Sequence, residues 1–335
     1  LGLKPGVLVT IDGEEKEGVY RERLQRLVLR DERGLLSDQL ELVFDDSDGR
    51  LAVPERGHRI SVALGWGESL TPMGSFFVDE VSISSRGVMR LTGKGFDTLK
   101  DLKTASSRLY AAQDLKGVLD ELGRAYGLKV KASAELSRVP VFEISQRNES
   151  AVHFLSRLAG EHALSLKIQD ETVLVMPQGS GLSVSGEALP VVEIEALGGK
   201  VLSWDFDFVS RPLYGAVEAE AFDLTSAQSE KVVVGSGKPV FRFREVFSSR
   251  ERAEQAATAK LSLTLKQGVT GRLELEGDPR ISADCRLRLS GFRAAVDGLW
   301  NVTSATHTVA PEAAYTVSLS CERLLDRWQQ QEWSV

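Results

Sequence analysis

Hydrophobic and polar positions alternate in short runs over the first ~98 residues. Val7 to Ile11 ends at the turn pair Asp12-Gly13, and Leu24 to Arg30, Leu40 to Phe44, Ile60 to Leu64, Phe76 to Ile83 and Val88 to Thr92 follow. A period of two buries one face of a strand and wets the other. Short strands at regular spacing, divided by Gly and Asp turns, predict a barrel or sandwich over residues 1–98. The period changes over residues 99–190. Leu115, Val118, Leu119, Leu122 and Tyr126 fall at helical spacing between a capping Asp114 and a terminating Gly127. Ala151, Val152, Leu155, Leu158 and Ala159 mark a second helix, with Asn148 as its expected cap and an end near His162. Leu128 to Ala132 reads as a strand, and Leu164 to Ile168 with Thr172 to Met176 as a hairpin, so this stretch is expected to be a small α/β module. A Gly- and Ser-rich exit, Pro177 to Glu187, leads out of it.

Residues 191–323 return to alternation in Trp204 to Phe208, Val217 to Phe222 and Tyr315 to Ser320. One helix interrupts them, opened by the capping pattern Ser248-Ser249-Arg250-Glu251. Residues 324–335 form a tail that carries Trp328 and Trp333 among Gln and Glu. The tail reads as a short terminal helix or a disordered tip, and large aromatics where a core is hard to build point to contact with a partner as much as to disorder.

The two alternating regions share a pattern. Gly74, Phe76, Val78 and Val81 match Gly298, Trp300, Val302 and Ala305 in spacing. A strand-like run precedes each, Arg59 to Leu64 and Arg286 to Leu289. Gly49-Arg50-Leu51 followed by Pro54 matches Gly271-Arg272-Leu273 followed by Pro279. An internal duplication is expected, with residues 49–92 superposing on 271–320, Gly74 on Gly298 and Phe76 on Trp300.

Composition narrows the function classes. The 335 residues are 42% hydrophobic and 27% charged, an ordinary globular balance. A net charge of -7 argues against a protein whose work is gripping nucleic acid. Two unpaired cysteines, Cys285 and Cys321, form neither a disulfide framework nor a zinc pattern. No apolar run reaches the ~18 residues of a membrane span. The first residues show no basic stretch leading into an apolar one, so no secretory leader is expected there.

The search for chemistry yields no catalytic residue, cofactor site or metal site. Gly87 to Gly95 misses the phosphate-loop spacing, and Gly95 stands where Ser or Thr would hold magnesium. His58, His153, His162 and His307 form no metal pair, and His153 and His162 lie ~13 Å apart along one helix. Asp45, Asp46 and Asp48 around Gly49 lack the spacing of a calcium loop and read as a solvated turn. Trp66, Phe76, Trp204, Phe206 and Trp300 sit in apolar alternation, which makes them core residues before a stacking platform.

Ser145-Gln146-Arg147-Asn148-Glu149-Ser150-Ala151-Val152-His153-Phe154-Leu155-Ser156-Arg157-Leu158-Ala159 resembles the phage late control gene D protein family. These are hub proteins of contractile tail baseplates, related to the N-terminal part of the VgrG spikes of type VI secretion. The family carries an acidic residue where Ala151 stands. Gly49-Arg50-Leu51 with Pro54 and Gly57, Met73 to Phe76, and Asp297 to Trp300 with His307 agree in order, so the resemblance covers nearly the whole chain. It implies a β-rich α+β fold of two related, tail-tube-like β-barrels with an inserted α/β module. It further implies a homotrimer that presents six similar units to a hexameric tail tube and a threefold face to a trimeric spike. The resemblance puts the chain in the virion baseplate, assembled in the host cytoplasm beside spike, tube and other baseplate proteins, without cofactors. Two other classes remain open on the residues: a tail-tip peptidoglycan hydrolase and a surface-glycan-binding module.

Overall fold

The computed structural model describes residues 4–12, 19–34, 38–95, 102, 104–111, 114–139, 141, 144–162, 164–169, 172–178, 187, 191–208, 214–223, 228–266, 269–311 and 314–323. The chain begins with β1 (Pro5–Ile11), α1 (Val19–Arg23), β2 (Leu24–Glu32), β3 (Gln39–Asp45), β4 (Arg59–Trp66), β5 (Ser69–Ser84) and β6 (Val88–Lys94). The middle holds β7 (Ala105–Tyr110), α2 (Leu115–Tyr126), β8 (Lys129–Ala132), β9 (Ile144–Ser150), α3 (Ala151–His162), β10 (Leu164–Gln169) and β11 (Thr172–Pro177). Then come β12 (Val191–Glu195), β13 (Val201–Phe208), β14 (Ala216–Asp223), β15 (Gln228–Gly235), β16 (Val240–Phe247) and α4 (Arg250–Lys266). β17 (Val269–Glu276), β18 (Arg286–Ser290), β19 (Gly298–Ala310) and β20 (Ala314–Arg323) complete it.

The two expected β-barrels do not form. One open twelve-stranded sheet runs β1-β4-β5-β6-β3-β2-β19-β20-β17-β13, with β12 attached through β18. Closure of a first barrel would need the free edge of β2 to return to β1. That edge is instead taken by β19 of the second half, from Ser304 opposite Glu32 to Val309 opposite Leu27. Alternation specifies which side chains face the core, but not which edge a strand pairs with. The sheet curves over two apolar clusters. One is built on Leu27, Leu42, Phe44, Ile60, Leu64 and Phe76, the other on Leu273, Leu287, Trp300, Val302, Val317 and Leu319.

The halves repeat one pattern. β2 to β6 lie in the order β4-β5-β6-β3-β2, and β13 with β17 to β20 in the order β18-β19-β20-β17-β13. Phe76 lies opposite Ile60 with Gly74 opposite Val62, and Trp300 lies opposite Leu287 with Gly298 opposite Leu289. Gly74 and Gly298 both take positive φ, 120° and 134°, a region that favours glycine. Both copies have a register shift just after the Val, between Val78 and Glu80 and between Val302 and Ser304. A second shared shift falls between Leu24 and Arg26 and between Val201 and Ser203. Such bulges are specific features of a strand pair, so two at equivalent places tie the copies together. The Gly-Arg-Leu match is coincidental. Gly271 to Leu273 lie in β17, where Leu273 faces Leu319 as Leu42 faces Leu91, whereas Gly49 to Leu51 lie in the loop after β3. The flanking strands also differ, since β1 is antiparallel to β4 and β12 is parallel to β18.

The middle module has its own core, where the Tyr110 and Phe154 rings stack at 4.9 Å over Leu119, Leu122 and Leu155. Asp114 caps α2 through the Gly117 N–H, and Gly127 terminates it at φ 68°. The second helix differs from the expectation. Ser150 caps α3 by accepting the His153 N–H, while Asn148 sits in β9 at φ 47°. A third unit lies inside the second β-region. β15, β14 and β16 form a separate sheet, with Ala253 and Ala257 of α4 fully buried against Val217 and Ala219.

Candidate assembly surfaces

The junction between the halves is built first from backbone. β19 gives one edge to β20 along its length and divides the other, with residues 298–301 on β18 and 304–309 on β2. Side chains complete it. The Trp66 indole Nε1–H donates to the Gly277 carbonyl at 2.8 Å, and its ring packs on Tyr315. His307 is fully buried, and burial pushes its pKa down. A carbonyl can only accept, so Nε2–H donates to Ile281 O at 2.9 Å and Nδ1 accepts from the Tyr315 hydroxyl. An added Cβ at Gly277 would lie 2.1 Å from the Tyr315 ring. Gly277→Ala is expected to cost about 1–3 kcal/mol, seen as a lower urea midpoint.

Beside the junction lies a cluster of buried charges. Arg33 bridges Asp284 and Glu322 at 2.7 Å each, and its remaining nitrogen donates to Val302 O at 3.2 Å. Asp31 accepts from Lys167 at 3.0 Å and from the Ala283 N–H at 3.0 Å, and Ser165 donates to Asp284. Ser165 and Lys167 lie on β10, so this cluster moors the middle module to both halves. Burial would lower Lys167, but the Asp31 and Asp38 carboxylates overcome it and raise its pKa. Lys167 lies 3.0 Å from Asp31 and 3.7 Å from Asp38, so one ammonium serves two acids. Asp38 is the acid whose pKa rises. Burial, reinforced by Asp31, pushes it up to about 7 against the pull of Lys167.

Folding then favours protonated Asp38 between its ordinary value and about 7, and stability from this group falls as pH rises through that window. Asp38→Asn is expected to be more stable than the parent at pH 8, with the gain shrinking toward pH 4. Urea midpoints at both pH values check this. His307 acts in the opposite direction, its burial as the neutral form opposing folding as pH falls below its ordinary value. Comparing the variant with its parent cancels that contribution.

Beyond the outer edges of β1 and β12, two stretches of strand edge in the large sheet stay unpaired among the described residues. β13 pairs only with β17, and its side chains are exposed: Leu202 at 57%, Trp204 at 42% and Phe208 at 46%. The counterparts of Trp204 and Phe208 on β2, Leu27 and Asp31, are buried where β19 flanks them. β5 pairs with β4 over residues 69–77 and with β6 over 77–84, so beyond Val78 its β4-side edge is open, and Ile83 is 55% exposed. Its counterpart His307 is covered by β2. Phe76 and Trp300 are core residues, as expected, while Trp204 departs from that expectation because its strand ends the sheet. Trp328 and Trp333 lie outside the described residues.

The residues weighed for chemistry are otherwise engaged. Gly93 packs under Phe76 within β6, and Gly87 makes the β5–β6 turn at φ 71°. Asp45 accepts from Ser47, Asp46 from Leu51 and Asp48 from Arg23 and Arg50. His58 pairs with Asp12 and His153 with Glu149. Burial pushes the thiols of Cys285 and Cys321 up to about 11 and 12, far from a reactive thiolate. No group of three metal-ligating side chains occurs among the described residues.

The chain is a duplicated open sheet with free strand edges that carries two smaller α/β units. The chain belongs to the phage tail baseplate hub (GPD) family, whose profile matches residues 98–313. It is 25% identical over 378 residues to a probable baseplate hub protein of Escherichia phage P2, covering 97% of this chain and 95% of that protein. It shares its fold with the 43 kDa tail protein of prophage MuSo2 from Shewanella oneidensis, at TM-score 0.68 and 14% identity over 95% and 98% of the two chains. The E. coli c3393 protein, a type VI secretion component, superposes at TM-score 0.63 with 12% identity, over 95% of this chain and 77% of that one. The chain is thus a structural component of a phage tail baseplate, with a VgrG-like fold.

Proposed function

We propose that three copies of this chain close a ring of six related sheet units that joins a hexameric tail tube to a trimeric spike. The observation that carries this is the internal junction. One chain already places two equivalent units side by side through β2 and β19 and leaves the equivalent edges, β13 and the second half of β5, free. Head-to-tail contacts between such edges build closed rings when the rotation per copy closes. Two units per chain let a threefold assembly present a near-sixfold face. Division of the chain into 1–98, 99–190 and 191–323 is our reading, with the middle module outside the ring.

The wet face of the sheet would line the channel. On the second half Asp205, Asp207, Glu274 and Glu276 surround Arg272, beside Ser and Thr positions of β19 and β20 that border an open groove of about 430 Å³. Such a face repels DNA phosphates and lets a strand slide past. Trp328 and Trp333 would contact a baseplate partner. Assembly would take place in the host cytoplasm.

Electron microscopy of the chain mixed with its cognate tube and spike proteins tests this reading. A ring seated between the two is expected. A chain that binds neither, or that decorates the outside of the tube, would overturn it.

A further inference from the structure

We infer that neighbouring copies join by pairing the free edge of β13 with the open half of β5 on the next copy, in the register that β2 and β19 use within one chain. This rests on the ring reading and specifies its contact. The register follows from the duplication. Gly74 and Phe76 correspond to Gly298 and Trp300, which matches Ser82 to Thr306 and Ile83 to His307. Leu42 and Leu273 hold equivalent places opposite Leu91 and Leu319, which matches Leu27 to Trp204 and Arg30 to Asp207. Within the chain, Thr306 faces Arg30, His307 faces Leu29 and Thr308 faces Val28. Carried to the outer edges, Ser82 faces Asp207, Ile83 faces Phe206 and Ser84 faces Asp205 of the next copy.

The chemistry of the two edges agrees with that register. On the core side, Ile83 and Val81 meet Phe206 and Phe208, so the exposed Ile83 and Phe208 are covered by the partly buried Phe206 and Val81 of the facing edge. On the wet side, Asp207 comes beside Ser82, which is paired on its other flank with Arg90 of β6. Ser82 is short, and an Arg on one side and an Asp on the other meet across it. A shift by one residue would turn the Phe residues to the wet face and the Asp residues to the core. Two unlike edges meet, so the contact is directional and each copy uses both.

Cysteine pairs in the full chain read this register directly. Residues directly opposed on antiparallel strands hold their Cβ atoms about 4.5–5.5 Å apart, close enough for a disulfide after small adjustment. The native thiols do not compete, because Cys285 and Cys321 are buried. Under mild oxidation with diamide, S82C/D207C and S84C/D205C are expected to cross-link between copies. The offset pair S82C/D205C is expected to do so at least tenfold less, and no single-cysteine variant should form the closed ladder. Native mass is measured on the same samples. A closed ring in which neither in-register pair links, or in which the offset pair links equally well, overturns this junction and leaves the ring reading standing. Linked open chains that never close support the junction and overturn the ring. A monomer at every concentration, with tube and spike added, overturns both.

Discussion

Arg33→Ala is expected to destabilise the chain by about 3–5 kcal/mol, the range for removing one partner of a buried ion pair. The Arg33 side chain is 12% exposed, with Asp284 and Glu322 at 19% and 13%. Without the guanidinium, both largely buried carboxylates lose their cation, and Val302 O loses a donor. Desolvation of those acids, more than a lost attraction, makes the effect large. Arg33→Lys keeps the charge but loses the fork that reaches two acids and a carbonyl, so it should recover only part of the stability. Adding Asp284→Asn and Glu322→Gln to Arg33→Ala should restore a larger part. Urea unfolding of the four proteins checks the order. An Arg33→Ala variant within about 0.5 kcal/mol of its parent would mean that the cluster is solvated.

The second large effect lies at the other end of the sheet and leaves the monomer intact. Phe208→Glu and Ile83→Glu are each expected to weaken copy-to-copy association by at least about 2 kcal/mol, roughly thirtyfold, as for an aromatic or apolar anchor at an interface. Both side chains are about half exposed in the single chain, at 46% and 55%, so the thermal midpoint of the monomer should move little. Phe76→Ala is the contrasting control. Its side chain is 1% exposed in the core, so that variant should lose several kcal/mol of stability whatever the state of assembly. Sedimentation velocity across a concentration series separates the two outcomes.

These contrasts show what kind of information the sequence carries. Alternation in Ile60 to Leu64 and in Tyr315 to Ser320 marks strands because burial on one face imposes it. The Gly-x-aromatic pattern is legible because Gly74 and Gly298 hold positive φ two residues before a core ring. Gly49-Arg50-Leu51 and Gly271-Arg272-Leu273 mislead, since three residues carry no record of strand or loop. That the sheet stays open instead of closing into barrels is not legible, because edges pair through backbone groups that every residue possesses. Trp204 and Trp300 share one alternation, yet one ends the sheet and the other lies within it. The separate sheet of the third unit was missed because Val232-Val233-Val234 in β15 breaks the period. A signal for the mooring cluster did exist. Leu27, Leu29 and Asp31 share the core-facing side of β2, and a carboxylate there needs a partner. The sequence does not reveal that Lys167 supplies it from 136 residues away.

The central claim is that this chain is a doubled unit made to close a ring. Native mass measurement of the purified full chain, with low-resolution imaging of the same sample and with tube and spike proteins added in turn, tests it most directly. The account predicts a species of three copies whose image shows six similar lobes around an open centre. A stable monomer under all of these conditions, or a two-copy species with a twofold image, would contradict it.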